Sequence, residues 1–121
     1  MRPTNHEKES HTVNVASHLK RVAERTPYKR AVVYPAGRDN CGRLTYSHLT
    51  FLQLDRESDC LAHGMQSAGI TRGTRTILMV KPSLEFFIII FSLFKTGAVP
   101  VVVDPGMGIR RMVACFKEGR P

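Results

Sequence analysis

Residues 76–103, TILMVKPSLEFFIIIFSLFKTGAVPVVV, decide the fold class of this 121-residue chain. The run 76–80 is continuously apolar, which is typical of a parallel strand covered on both faces. An apolar helical segment, 84–96, follows, and a second strand, 98–103, comes directly after it. The order of strand, helix and strand predicts a right-handed, parallel βαβ unit and therefore an α/β fold.

The helix of this unit is bounded by recognisable signals. Ser83 can cap its first turn, where Glu85 also complements the helix dipole, and Gly97 can close its last turn. The apolar run from Leu84 to Phe94 is too short for a bilayer span, which needs about 20 apolar residues. We therefore expect a helix that is buried on all sides in a protein core.

The residues before this unit predict a helix and a hairpin. Segment 14–25 repeats apolar residues at helical spacing, and the predicted inward positions are Val15, Leu19, Val22 and Ala23. Segment 31–34 reads as a short strand, 35–43 as a loop rich in glycine, aspartate and asparagine, and 44–49 as a second strand.

Two further helices complete the predicted order. Thr50 and Gln53 form a capping-box pattern that starts a helix ending at Gly69, with apolar positions Phe51, Leu54, Leu61, Met65 and Ala68. The last helix is predicted over 109–118, with Ile109, Met112, Val113 and Phe116 facing inward. Such a short parallel fragment leaves apolar surface to cover, so the sequence indicates the beginning of a larger α/β domain.

Composition narrows the classes of function. The formal net charge of +8 suggests nucleic acid or an acidic membrane surface as a binding partner. The charge is dispersed, so the hypothesis of a small basic nucleic-acid binder rests on net charge alone.

The three cysteines (Cys41, Cys60 and Cys115) form no CxxC pair, which favours a reducing compartment over a disulfide framework or zinc site. The five histidines show no metal-ligand spacing. Residues 1–13 lack the apolar core of a signal peptide and are expected to form a disordered leader.

The stretch 101–112, VVVDPGMGIRRM, resembles a strand running into a phosphate-binding loop. A dinucleotide fingerprint requires a third glycine where Arg111 stands, and a Walker loop requires a Gly-Lys-Ser/Thr sequence that does not occur. We therefore interpret Asp104 to Gly106 as a turn, with Gly108 relieving crowding at the start of the helix. Asp104, Arg110 and Arg111 remain the nearest candidates for a polar, anion-binding surface at the strand ends.

Three phrases together resemble a known family. They are NVASHLKRVAERTP (14–27), LTFLQLDRESDCLAHGMQSAGITRGTRTILMV (49–80) and FFIIIFSLFKTGAVPVVVDPGMG (86–108). In order and spacing they resemble the N-terminal part of adenylate-forming enzymes, the fatty acyl-CoA ligases and AMP-dependent synthetases. The DPGMG phrase is closest to the branch with long-chain acyl ligases and the β-lactone synthetases of olefin biosynthesis. One departure is Thr74, which stands where an aspartate usually follows the turn glycine and could loosen that turn.

The resemblance implies that 14–121 is a truncated N-terminal part of an AMP-binding synthetase domain in the cytoplasm. Intact members activate a carboxylic acid, here a fatty acid, with ATP and magnesium and pass the acyl group to CoA or an internal nucleophile. Their phosphate loop, adenine-binding segment, ribose-binding aspartate and catalytic lysine would all follow Pro121. We therefore predict no catalytic, cofactor-binding or metal-binding residue in this chain and no activity of the chain alone. The alternative is an interaction module that docks on a complementary ligase polypeptide.

Overall fold

A computed structural model describes residues 15–104 and 106–119. The predicted disordered leader, 1–13, lies outside the described residues. In chain order the elements are α1 (Val15–Arg25), β1 (Arg30–Arg38), β2 (Leu44–Thr50), α2 (Phe51–Ser67), β3 (Arg75–Leu78), α3 (Leu84–Thr96), β4 (Val99–Val102) and α4 (Ile109–Gly119).

The predicted order of strand, helix and strand is present, and its two strands are parallel. β3 and β4 pair in parallel, with Arg75 opposite Val99 and Leu78 opposite Val102, and α3 connects the two strands. The strands are shorter than the predicted segments, because regular pairing stops at Leu78 and Val102. The α/β class and the parallel sheet are therefore confirmed.

The antiparallel hairpin β1–β2 is also present, but it is longer than predicted. Residues 35–38, which we assigned to a loop, continue β1, with a register shift between Pro35 and Gly37. Gly37 has a φ of 116°, a conformation that glycine adopts without steric cost, so the strand passes through the irregularity. At the tip, Asp39 Oδ1 accepts hydrogen bonds from the backbone N–H groups of Cys41 and Arg43.

The predicted helix signals are confirmed in detail. The Gln53 backbone N–H donates to Thr50 Oγ1 at 3.1 Å and the Thr50 backbone N–H donates to Gln53 Oε1 at 2.9 Å, which completes the capping box of α2. Ser83 Oγ accepts from the Phe86 N–H at the start of α3. Gly97 closes α3 with a φ of 78°, and a Cβ at this position would lie 3.2 Å from Arg72 Cγ.

The turn that carries the departure at Thr74 is closed by hydrogen bonds. The Thr71 backbone N–H donates to Thr74 Oγ1 at 3.0 Å, and the Thr74 N–H donates back to the Thr71 carbonyl at 3.0 Å. The threonine hydroxyl thus satisfies a backbone donor within this turn.

The core lies between the sheet β3–β4 and the helices α2 and α3. Leu78, Leu93 and Ala98 form its centre, and Met65, Ile70, Val80, Phe86, Ile89 and Ile90 pack against it. α2 and α3 lie close together through Ser58 and Ser92, which are both fully buried, and Ser92 Oγ donates to the Ser58 carbonyl at 3.2 Å. Small side chains at this contact allow the two helix backbones to approach.

Several burial predictions are wrong. α3 is not buried on all sides: only Ser92, Leu93 and Thr96 are fully buried, and the phenylalanines and isoleucines are partly exposed. In α1 the buried residues are Ala16, Leu19 and Ala23, whereas the predicted Val15 and Val22 are exposed. The helical spacing predicted for α1 is correct. The buried face, however, is centred on the small side chains of Ala16 and Ala23 and not on the valines.

α4 departs furthest from its predicted packing. Of its four predicted inward residues, Ile109 and Val113 are exposed, and Met112 and Phe116 are only partly buried. None of the helices within 15–104 and 106–119 has the length and hydropathy of a bilayer-spanning helix.

Candidate functional site

The end of β4 carries the polar residues that the sequence singles out. Asp104 Oδ1 accepts a hydrogen bond of 2.8 Å from the Gly106 backbone N–H, and the Asp104 carbonyl accepts one of 3.2 Å from the Met107 N–H. These bonds form a turn, as interpreted from the sequence. The proposed role of Gly108 in relieving crowding is wrong, because a Cβ there would meet no atom within 4 Å.

Asp104, Arg110 and Arg111 do not form a joint site in the described structure. The Asp104 carboxylate is engaged in its own turn, and both arginines are exposed in the first turn of α4. No ion pair among the described residues joins either arginine to Asp104. Residues 15–104 and 106–119 also contain no group of three or more His, Cys, Asp or Glu side chains that could hold a metal ion.

The strongest polar cluster lies elsewhere, around Lys95 near the end of α3. Lys95 Nζ donates to Asp59 Oδ1 at 2.7 Å, to Asp55 Oδ1 at 2.8 Å and to the Asp55 carbonyl at 2.8 Å. The Lys95 side chain retains only 11% of its solvent exposure. Since an ammonium group has three N–H donors, all of them are satisfied by α2.

Lys20 of α1 extends the cluster at its solvent side. Its Nζ lies 3.4 Å from Asp59 Oδ2 and 3.7 Å from Asp55 Oδ2. Two lysines thus face two aspartates, and their charges balance. We call these four residues, Lys20, Asp55, Asp59 and Lys95, the lysine–aspartate cluster.

The charges of the cluster shift the pKa values of Asp59 and Lys20 so that both groups stay charged. Partial burial opposes ionisation of Asp59, but hydrogen bonds and charge from Lys95 and Lys20 prevail and hold the pKa of Asp59 below 3.8. The negative charge of Asp55, followed by that of Asp59, raises the pKa of Lys20 above 10.5. Both shifts favour the charged forms, as expected of an intact ion-pair network.

A shallow cleft of about 320 Å³ opens beside the cluster and is lined by Ala16, Ser17, Lys20, Asp59 and Lys95. Lys95 has no N–H left for a ligand, since Asp55 and Asp59 take all three. The arrangement joins α1, α2 and α3 and leaves no free acid, base or nucleophile at Lys95. Chemically, it is a structural cluster.

Sequence reasoning missed this cluster although a signal was present. Asp55 and Asp59 are four residues apart and therefore share one face of α2, and Asp55 follows directly on the buried Leu54. Lys95 follows directly on the apolar run from Leu84 to Phe94 in α3, and the sequence analysis assigned it no role in a polar cluster. A lysine in an apolar helix and two carboxylates at this spacing predict a buried ion pair.

Comparisons with known proteins give the family. The model of the family described as "AMP-binding enzyme" matches residues 19–121. The chain belongs to this family. An olefin β-lactone synthetase from Xanthomonas campestris is 44% identical over 109 residues, covering 89% of this chain and 20% of the relative. A fatty acid–acyl-carrier-protein ligase, ScoC, from Streptomyces coeruleorubidus is 39% identical over 56 residues, covering 46% of this chain and 11% of the relative.

A solved structure agrees with the fold of this member of the AMP-binding enzyme family. The N-terminal subdomain of NpsA from Klebsiella oxytoca superposes with a TM-score of 0.76 at 20% identity, covering 88% of this chain and 26% of that subdomain. The resemblance to the N-terminal part of adenylate-forming enzymes is therefore confirmed. The chain spans about a fifth of the length of the olefin β-lactone synthetase that it matches.

Proposed function

We propose that this chain is the N-terminal scaffold of a ligase that activates a fatty acid with ATP and magnesium. The observation that supports the proposal is the family match over 19–121, together with the 44% identity to an olefin β-lactone synthetase. The fatty acid is favoured because the DPGMG phrase resembles the long-chain acyl branch and because ScoC is named a fatty acid ligase. CoA or an internal nucleophile then accepts the acyl group.

We propose that the described residues do not themselves hold a nucleotide or its magnesium ion. The Asp104 carboxylate accepts a bond within its own turn, and all Lys95 donors are satisfied by α2. The sequence contains no Gly-Lys-Ser/Thr loop. We therefore propose that the chain alone does not form an acyl-adenylate, and that its part in the reaction is to support a site built from other residues.

In this role the lysine–aspartate cluster and the core keep α3 and the parallel strands in place. Open α/β sheets bind ligands beyond the carboxyl ends of their strands, which is where β4 delivers the chain into the Asp104 turn. The cytoplasm is the proposed location, because ATP and CoA are available there.

The first test is to sequence the transcript and the genomic DNA beyond the codon for Pro121. We expect a Ser/Thr/Gly-rich loop that ends in Pro-Lys in the same or another reading frame. Unrelated sequence in all frames would contradict the proposal that the chain supports an adenylation site of its own ligase.

The second test measures ATP–pyrophosphate exchange by the purified chain and by the complete polypeptide that the DNA encodes. The chain alone should give the rate of a buffer blank, and the complete polypeptide should exchange faster with palmitate than with benzoate. Exchange above the blank by the chain alone would show that it holds a working site. Preference for benzoate would exclude the fatty acid.

A further inference from the structure

The end of α1 and the turn that follows it carry a basic surface that the proposed scaffold does not use. Arg21 and Arg25 are four residues apart and therefore share one face of α1, and Lys29 and Arg30 follow at the turn and the start of β1. All four side chains are exposed, and no ion pair within residues 15–104 and 106–119 engages any of them. We call these four residues the basic patch.

The sign of the charge is nearly uniform in this part of the chain. Segment 21–30 contains the four cations of the basic patch and one acid, Glu24, so its local net charge is four minus one, or +3. In the lysine–aspartate cluster, by contrast, two lysines are balanced by two aspartates. The basic patch therefore presents positive charge that the described part of the chain leaves uncompensated.

The turn that carries the patch is held in place by backbone hydrogen bonds to α2. The Pro27 carbonyl accepts from the Leu52 N–H at 3.0 Å, and the Lys29 carbonyl accepts from the Phe51 N–H at 3.0 Å. The first N–H groups of a helix have no partner within the helix, so these bonds satisfy donors of α2. Because the turn is already ordered, little backbone freedom is lost when a partner binds there.

Tyr28 lies within this turn, directly before Lys29. Its side chain is 82% exposed, which is more than any other large apolar side chain among the described residues. A tyrosine side chain combines an apolar ring with a polar hydroxyl, and such side chains favour the boundary between water and an apolar phase. An exposed tyrosine beside cations therefore suits a surface that is anionic outside and apolar underneath.

We propose that the basic patch and Tyr28 dock the chain on an anionic bilayer. The four cations contact the anionic headgroups, and the Tyr28 ring enters the headgroup region. Each lysine or arginine near such a surface strengthens the association about fivefold, so four of them support reversible binding and not permanent anchoring. The inference rests on the proposed fatty acid function, since a long acyl chain partitions into bilayers and a docked ligase meets its substrate there.

The aromatic content of the patch favours a bilayer over nucleic acid. Proteins that bind single-stranded nucleic acid stack successive bases on several aromatic rings, whereas Tyr28 is the only aromatic residue in segment 21–30. Binding to either surface weakens as salt rises, because both are polyanionic. Vesicles and an oligonucleotide must therefore be compared directly.

The test measures binding of the 121-residue chain to sedimented vesicles. Vesicles of phosphatidylcholine with about one third phosphatidylglycerol should bind the chain at low salt and release it at about 0.5 M salt. Vesicles of phosphatidylcholine alone should bind at least tenfold more weakly. Equal binding to the two kinds of vesicle would mean that apolar surface holds the chain, and this would overturn the proposal. So would no binding to either kind, or tighter binding to oligo-dT than to the anionic vesicles.

Two variants with equal net charge separate the basic patch from the overall charge of the chain. The patch variant carries Arg21→Gln, Arg25→Gln, Lys29→Gln and Arg30→Gln. The control variant removes the same charge from exposed positions elsewhere, with Lys81→Gln, Arg110→Gln, Arg111→Gln and Lys117→Gln. The patch variant should bind the anionic vesicles at least thirtyfold more weakly, and the control variant should remain within threefold of the unchanged chain. Equal losses in the two variants would overturn the proposal. Circular dichroism should show the same helix content in both.

A tryptophan reporter gives a second readout of the contact. The chain contains no tryptophan, so Tyr28→Trp introduces a single fluorophore at the patch. Its emission should move to shorter wavelength when anionic vesicles are added, because the ring leaves water. Tyr46→Trp, at a position on β2 that is 58% exposed, is the control and should keep its emission. A shift at position 46 without one at position 28 would overturn the proposal. These readouts need neither ATP nor a carboxylic acid, so a failure of the fatty acid assignment in the exchange assay leaves them unaffected.

Discussion

The α2–α3 contact and the β4–α4 segment are both rich in apolar residues, yet only the first is closed. At the α2–α3 contact, Ser58 and Ser92 are fully buried and Lys95 has no free donor. In the β4–α4 segment, Ile109 and Val102 are exposed and the strand edge has no partner within the described chain. Apolar patterning therefore indicates which surfaces need a packing partner. Packing within this chain decides which of those surfaces already have one.

The largest expected difference between the two regions comes from matched truncations of apolar side chains. Leu93→Ala removes a side chain with no solvent exposure and should lower the free energy of unfolding by about 3 kcal/mol through lost burial and a cavity. Ile109→Ala removes a side chain that is mostly exposed and should change it by less than about 0.5 kcal/mol. Urea unfolding measures both. Similar losses would mean that α4 is packed as tightly as α3.

The lysine–aspartate cluster allows a comparison of a buried and an exposed cation. Lys95→Met leaves the largely buried Asp55 without its close partner and should destabilise the chain by about 2 to 3 kcal/mol, below the full cost of an unpaired buried charge because Asp59 is partly solvated. Lys20→Met changes an exposed pair and should cost about 0.5 kcal/mol or less. If the two substitutions had equal effects on urea unfolding, Lys95 would not hold α2 to α3.

Two glycines provide a matched test of backbone geometry. Gly97→Ala should destabilise the chain by about 1 to 2 kcal/mol, because φ is 78° and the new Cβ would crowd Arg72. Gly64→Ala lies inside α2 with open space around its Cβ and should stabilise the chain by about 0.5 to 1 kcal/mol. Thermal unfolding of the two variants should therefore shift in opposite directions. An unchanged or higher Tm for Gly97→Ala would contradict the left-handed cap at Gly97.

The smallest expected effect is the contribution of Asp59 to pH dependence. Because the pKa of Asp59 is lower in the folded chain than its unperturbed 3.8, its stabilisation is fully present above that value. The stabilisation is lost as the pH falls through the folded pKa. Asp59→Asn should thus be less stable than the unchanged chain at pH 6 in urea unfolding, and the gap should narrow on acidification below pH 4. A gap that widens on acidification would contradict the lowered pKa.

Much of the fold could be predicted from local signals. The capping box at Thr50 and Gln53, the Gly97 cap and the order of strand, helix and strand depend on neighbouring residues, and all three are confirmed. The extension of β1 through residues 35–38 was missed because its signal is pairing with β2 across the hairpin. Local pattern therefore predicts elements better than it predicts how far their pairing extends.

Burial and the polar cluster were harder to predict for the same reason. In α1 the buried residue is Ala16 and not the predicted Val15. Which of the two is buried depends on how closely α2 approaches α1. Lys95 pairs with Asp55 and Asp59 across a separation of about forty residues, so the local signals at each end indicate a buried ion pair but do not show which partners meet. The apolar character of Ile109 and Val113 was read correctly, but both side chains remain exposed within the described chain.

The most direct measurement of the central comparison is amide hydrogen exchange along the 121-residue chain, read by mass spectrometry or NMR. The account predicts slow exchange in α3 and in the part of α2 around Ser58, and exchange in α4 that is faster by at least two orders of magnitude, because a short helix with few tertiary contacts opens locally. Protection of α4 equal to that of α3 would contradict the account, since the apolar face of α4 would then already be covered.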